Sequence, residues 1–226
     1  MGMTSTILPS TSGKRPRRYG GRPPATQAGE VDRRILNAAT SLFLDRGFDA
    51  TSCDQVAALA GAGKASIYAR YANKEELFAA VIRDNVDRGL APATDVPWHL
   101  PLEARLMVAG QSILSHSLRP EVIALMRVVM STAHRMPELA RLADRIGREG
   151  GMLRVAAAII GQQDVLPDTL ARALPLAAKL IDLVFAPHQM RALMGEDVAA
   201  LETAAPDRIR EAIHLLAGAG WLQDWQ

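Results

Sequence analysis

Thr51-Ser52-Cys53-Asp54-Gln55-Val56-Ala57-Ala58-Leu59-Ala60-Gly61-Ala62-Gly63-Lys64-Ala65-Ser66-Ile67-Tyr68-Ala69-Arg70-Tyr71-Ala72-Asn73-Lys74 is the stretch that decides the fold. Ser52, with Gln55 three residues later, forms a capping box that starts a helix. Val56, Leu59 and Ala60 give that helix an inner face. Gly61-Ala62-Gly63 is a tight turn. A second helix then runs from about Lys64 to Tyr71, with Ile67 pointing inward and Lys64, Ala65, Ser66, Tyr68 and Arg70 pointing outward. Capped helix, glycine turn and second helix make a helix-turn-helix, whose second helix enters the DNA major groove. No acid occurs between Gln55 and Lys74, so this face is expected to be positive without local compensation. The amides near Thr51 and Ser52, at the start of the first helix, are expected to clamp a phosphate.

Working outward, a helix from about Glu30 carries the stripe Val31, Ile35, Ala38, Ala39, Leu42 and Phe43 and stops at Gly47. Phe48 is expected to return an aromatic ring to that core. On the other side Asn73, with Glu76 three residues on, caps a helix with the stripe Leu77, Phe78, Val81, Ile82 and Val86. That helix ends at Gly89 and Pro92, and can carry motion from a distal domain into the DNA-reading unit.

Residues 31–82 resemble the DNA-binding domain of the TetR/AcrR family of bacterial repressors. The resemblance rests on Ile35-Leu36-Asn37-Ala38-Ala39, Phe43, Gly47-Phe48, Thr51-Ser52, Val56-Ala57 and Ala60-Gly61, on Gly63 through Tyr68 with Tyr71, and on Lys74-Glu75-Glu76-Leu77. It implies backbone contacts from Thr51, Ser66, Tyr68 and Lys74 and groove contacts from the Lys64 to Arg70 face. Ser52 and Tyr71, bordering these residues, are counted with the DNA-contacting set. Ala65 stands where the family often has glycine, and Arg70 where it often has histidine.

The rest of the chain is read as helix. Hydrophobic residues make up 49% and aromatics only 4%, and β-branched runs are few, which favours an all-α fold. A proline-rich linker at residues 91–101, with Trp98 packing back, leads into helices over Leu102 to Leu118, Pro120 to Thr132 and Glu138 to Gly147. A segment from Met152 to Ile160 continues the third after a kink at the glycine cluster, followed by Asp168 to Phe185 with a kink at Pro175 and by Asp207 to Gly218. Leu118 to Leu125 and Pro137-Glu138-Leu139-Ala140 resemble the C-terminal domain of AefR-like TetR regulators. That resemblance implies a four-helix bundle formed by the last two long helices with those of a second subunit, and an inducer cavity among the central helices. Candidate cavity residues are Met107, Met126, Met130, His134, Met152 and Phe185, since methionines make plastic apolar walls.

The domain division expected is therefore a basic arm over residues 1–29, a three-helix DNA-binding domain with its connecting fourth helix over 30–90, the linker, and a ligand-binding and dimerisation domain over 102–226. Residues 1–30 carry five bases and one acid, residues 31–90 eight of each, and the remainder 13 bases against 15 acids. A basic arm ahead of a near-neutral body points to an anionic polymer as partner. Arg17, Arg18 and Arg22, set among Gly20, Gly21 and Pro23, read either as a minor-groove hook or as a nonspecific phosphate tether.

Enzymatic readings find little. Gly61 to Ser66 lacks the first glycine of a phosphate loop and a hydroxyl residue directly after Lys64, and no strand precedes it. The histidines never fall at ligand spacing and Cys53 has no second cysteine, so no metal or cofactor is expected. The lone Cys53 also rules out an intrachain disulfide and fits a reducing cytoplasm. Neither a signal peptide nor a membrane span is read. The expectation is an all-α, homodimeric, cytoplasmic repressor of a palindromic operator in double-stranded DNA, released by a small apolar effector. The rival is a ligand-independent architectural protein that uses its arm on A·T-rich DNA.

Overall fold

The computed structural model describes residues 25–89, 98–162 and 166–225. Among them there are nine α-helices, a short 3₁₀ turn and no strand. Helix α1 (Ala25–Arg46) begins more than a turn before Glu30, where the sequence reading places its start. It ends where Gly47 adopts φ 78°, with the Gly47 amide donating to the Phe43 carbonyl at 3.0 Å. The Phe48 ring then turns back onto Phe43 (5.7 Å between centroids) and Phe78 (5.3 Å), and Phe43 meets Phe78 edge-on at 4.9 Å. This aromatic triad welds α1 to the helix that carries Phe78.

Helix α2 (Cys53–Ala60) carries the capping box read from Ser52 and Gln55, both halves formed, and closes on Gly61 at φ 58°. Helix α3 (Lys64–Tyr68) is shorter than its sequence pattern suggests. Its continuation is a tight turn in which the amides of both Arg70 and Tyr71 donate to the Ile67 carbonyl, at 2.9 and 2.8 Å. Helix α4 (Lys74–Gly89) starts under Asn73, whose side chain accepts from the Glu76 amide at 2.8 Å; Glu76 in return accepts from the Ala72 amide at 2.9 Å.

The second half comprises α5 (Leu102–Ser117), α6 (Pro120–Ala133), α7 (Pro137–Ile160), α8 (Pro167–Leu193) and α9 (Val198–Gly218). Three boundaries differ from the sequence reading. Helix α7 runs unbroken through Gly147, Gly150 and Gly151. A glycine inside a helix costs only about 1 kcal/mol, and at Gly151 its bareness is used: a Cβ there would stand 3.1 Å from Ile181 Cδ1 of α8. Helices α8 and α9 likewise continue past Pro187 and Pro206. Each proline removes one helical hydrogen bond, and each is flanked by residues buried on the helix's inner face: Phe185 and His188, Ala205 and Ile209.

Two apolar clusters result. One is built from α5, α7, α8 and α9 with Ile123 of α6, and Trp98 packs against it. The other gathers α1 to α4 and also takes in Leu125 and Val129 of α6 and Leu139 and Ala143 of α7. The helix-turn-helix half therefore shares its core with the second half. Between the helices of the first cluster lies a buried cation, Arg105. It donates to the carbonyls of Ala158 (2.8 Å), Ile159 (3.2 Å) and Leu100 (2.8 Å), and so satisfies the carbonyl end of α7 and its negative dipole. Gly161, at φ 68°, lets it in, since a Cβ there would lie 2.6 Å from the guanidinium carbon.

Candidate nucleic-acid interface and effector cavity

The short turn Gly61-Ala62-Gly63 sets α3 across α2 with Ile67 fully buried beneath it, which leaves Lys64, Ala65, Tyr68 and Arg70 on the open side. Tyr68 is 55% exposed, unusual for an aromatic ring without a partner surface. Ser66 is half-buried, and its carbonyl accepts from Arg70 Nη1 at 2.8 Å. Ser52, at the start of α2, is exposed on the same side, its hydroxyl accepting from the Gln55 amide at 3.2 Å.

Three residues assigned to DNA contact sit differently. Tyr71 is buried: four residues after Ile67 it lies on the inner face, and its hydroxyl donates to Asp32 Oδ1 at 2.8 Å. Burial first, then the Asp32 carboxylate, pushes its phenol far above the usual range. Thr51 is 2% exposed and its hydroxyl donates inward to the carbonyls of Gly47 (2.8 Å) and Leu42 (3.1 Å). Its side chain locks the α1–α2 turn. Lys74 is half-buried; its ammonium donates to the carbonyls of Phe48 (2.8 Å) and Asp49 (3.3 Å) and lies 4.4 Å from the centre of the Phe48 ring. The phosphate-clamping amides read near Ser52 are also engaged in part, since the Ser52 amide donates to Gln55 Oε1 at 2.9 Å. Arg17, Arg18 and Arg22 lie outside the described residues.

The expectation of an uncompensated positive face is corrected. Lys64 Nζ pairs with Asp54 of α2, and Arg70 Nε lies 3.4 Å from Asp32 Oδ1 of α1. Both acids come from other helices, where inspection of the α3 stretch alone does not find them. Cys53 is buried, and burial above all pushes its thiol up, away from the reactive thiolate.

Behind this unit lies a cavity of about 140 Å³, walled by all of α4 to α8. Helix α4 contributes Ile82, Asn85 and Val86, α5 Ile113 and His116, α6 Val122, Leu125 and Met126, α7 Ala143, Gly147 and Gly151, and α8 Ile181 and Phe185. Asp144, Arg148 and Gln189 add polar groups, and Arg148 Nη1 is held by Asp182 Oδ1 at 2.7 Å. Of the cavity residues read from sequence, Met126 and Phe185 are on the wall. Met107 and Met152 pack against the core of the second half, Met130 is 47% exposed and His134 is exposed at the end of α6. Their helices are right but their faces are wrong.

The histidine that does line the cavity is His116, 8% exposed, whose Nδ1 has no hydrogen-bond partner. Burial first, then Arg119, pushes its imidazolium below the usual range, with Glu121 opposing. Its ring rests against the end of α4 so closely that a Cβ on Gly89 would fall 1.8 Å from it. Ile113, His116 and Ser117, spaced three and four apart on α5, were the sequence signal for this wall. Among the described residues no group of three or more His, Cys, Asp or Glu could hold a metal ion, and no helix is long and apolar enough to cross a membrane.

An exposed, hydroxyl- and cation-bearing second helix on a helix-turn-helix, joined to a helical half with an internal cavity, defines a DNA-binding regulator. The comparisons agree. Residues 35–81 match the family described as bacterial regulatory proteins, tetR family, and residues 104–219 the AefR-like transcriptional repressor C-terminal domain. The chain belongs to the TetR family of transcriptional regulators. It is similar to YhgD of Bacillus subtilis, an HTH-type transcriptional regulator, at 34% identity over 97 residues, 39% of this chain and 50% of YhgD. It is also similar to the HTH-type transcriptional activator FasR of Mycolicibacterium smegmatis, at 40% identity over 53 residues, 24% of each chain. These matches span half or less of the curated relatives' length. Among solved structures, a TetR-family regulator from Mesorhizobium loti aligns over 84% of this chain and 98% of its own with TM-score 0.64 and 23% identity. The flavonoid-responsive regulator FrrA aligns over 84% and 97% with TM-score 0.61 and 28% identity.

Proposed function

We propose that this chain is a cytoplasmic homodimeric repressor that holds a palindromic operator and releases it when a small, largely apolar molecule enters the α4–α8 cavity. The observation that carries the reading is the double membership of α4. Its start, with Leu77 and Phe78, packs into the core of the DNA-reading unit, while Ile82, Asn85 and Val86 wall the cavity. A guest pressing on that wall acts on a helix that packs against α1, which in turn packs against α2, the helix that carries α3.

The dimer is supported by unpartnered apolar side chains on α8 and α9: Leu183 and Met190 are each 46% exposed and Leu215 is 59% exposed. A two-fold pair of α3 helices suits a two-fold site. The guest's chemistry follows from the wall: an aliphatic and aromatic lining asks for an apolar body, and the unpartnered His116 offers one hydrogen-bonding group. The cavity is partly open, and its volume of about 140 Å³ is room enough for an aromatic ring, since a comparable apolar cavity holds benzene. The flavonoid response in the name of FrrA, at 28% identity, supports an aromatic guest. To reverse a 99:1 population the guest must prefer the released state by about 10⁴-fold, or about 5.5 kcal/mol.

The test begins with a duplex recovered by in vitro selection with the unaltered protein. Lys64→Ala and Tyr68→Ala are each expected to weaken its binding roughly five- to 150-fold, about 1–3 kcal/mol, while sedimentation still reports the same dimer. Unchanged binding by both variants ends the assignment of α3 as the reading helix. A transcription assay on the selected duplex then separates repression from the activation that the name of FasR records for that protein.

A further inference from the structure

We infer that Asp54 is a positioning residue for Lys64, holding it as a reader of base edges and withholding it as a tether for phosphates. The placement is specific. Asp54 is in the first turn of α2 and Lys64 is the first residue of α3, and the glycine turn brings the carboxylate and the ammonium into direct contact. Both side chains are at least half exposed, on the side that Tyr68 also faces. Neither buries apolar surface, so the pair contributes little to holding the fold.

Its consequence is at the DNA. A lysine is a point charge on a flexible stem, and left free it goes to the nearest phosphate regardless of sequence. With one ammonium proton committed to Asp54, the remaining donors are restricted to the arc facing the groove, where guanine O6 and N7 accept. To reach a phosphate instead, Lys64 must leave Asp54, and the bared carboxylate then faces the DNA backbone. Wrong sequences are penalised; a matching base is not. Arg70 is held in a comparable way, through Asp32 and the Ser66 carbonyl, but Asp32 also carries the Tyr71 hydroxyl and so serves the fold as well. Asp54 makes no hydrogen bond of that kind, its other part in the fold being only the charge it places in the first turn of α2, which makes it the residue to test.

The experiment uses the full chain and two duplexes of equal length, the one recovered by in vitro selection and a scrambled version, titrated across a potassium chloride series. Asp54→Asn is expected to tighten binding to the scrambled duplex roughly three- to fivefold, the upper part of what an exposed ion pair supports. It should steepen the salt slope there by about 0.9, the increment for one more phosphate neutralised. Binding to the selected duplex should change by less than about twofold, so that the specificity ratio falls. In a Lys64→Gln background, Asp54→Asn should have no effect on the scrambled duplex. The inference is overturned if scrambled binding is unmoved, if both duplexes gain equally, or if the gain survives in the Lys64→Gln background. Loss of the selected duplex alone would overturn it too, because Asp54 would then itself be reading a base.

Discussion

His116 joins three facts at one residue: burial, an unpartnered Nδ1 and a place on the cavity wall. Its imidazolium is disfavoured in the fold, while in the unfolded chain it titrates near its ordinary value of 6.5. Below pH about 6.5 the unfolded chain therefore binds the proton that the folded chain refuses. Stability is complete above that pH and falls as the solution is acidified toward the folded value, by about 1.4 kcal/mol per pH unit across the window. His116→Asn should flatten this dependence. The check is the melting temperature of both proteins at near-neutral and mildly acidic pH, and equal slopes would remove His116 as the titrating group. At this scale the sequence was legible where a side chain's direction follows from local geometry. Lys64 and Tyr68 point outward because Ile67 between them must point in. It was illegible where a partner comes from a distant segment. Tyr71 meets Asp32 across 39 positions, and the one local sign that this tyrosine turns inward is its place four residues after the buried Ile67. Thr51 deceived for a related reason, since its hydroxyl closes a turn that only the fold creates.

Among the elements, α4 is the one that belongs to both the first-half core and the cavity wall, and its last residue is the place to test whether the two are coupled. Gly89→Ala would push a methyl group into the His116 ring, which is too enclosed to swing away. The end of α4 must lift from α5. A loss of about 1–3 kcal/mol in stability is expected from such overpacking, read by denaturant unfolding, together with weakened binding to the selected duplex in the absence of any small molecule. A variant that binds the duplex as the unaltered protein does would show that the end of α4 does not govern α3. Starts marked by a side-chain cap were legible: Ser52 with Gln55 and Asn73 with Glu76 cap as their spacing says. Boundaries in the second half were not. Gly150, Gly151, Pro187 and Pro206 look like breakers one by one, yet the apolar faces around them bury enough surface to carry α7, α8 and α9 across. Packing outweighed propensity there.

For the molecule as a whole, charge is distributed unevenly. The α3 face is largely neutralised by Asp54 and Asp32, whereas residues 1–24 contain five bases and no acid. Their removal should shorten the salt slope of DNA binding by as much as about 4.5, at about 0.9 for each phosphate they neutralise. A truncated chain with an unchanged slope and affinity would show that these residues do not touch DNA. The all-helical fold and its two halves were legible from periodicity and from resemblance. Their interpenetration was not, because Leu125, Val129, Leu139 and Ala143 read as ordinary core positions of their own helices. Those four side chains make the DNA-reading unit an incomplete module. Cut at the linker and grafted onto a foreign effector half, it would expose the apolar flank they now cover. A hybrid regulator built from this chain has to bring α6 and the first half of α7 along with the reading helices, so the natural seam for exchange lies beyond Ala143 rather than at the linker.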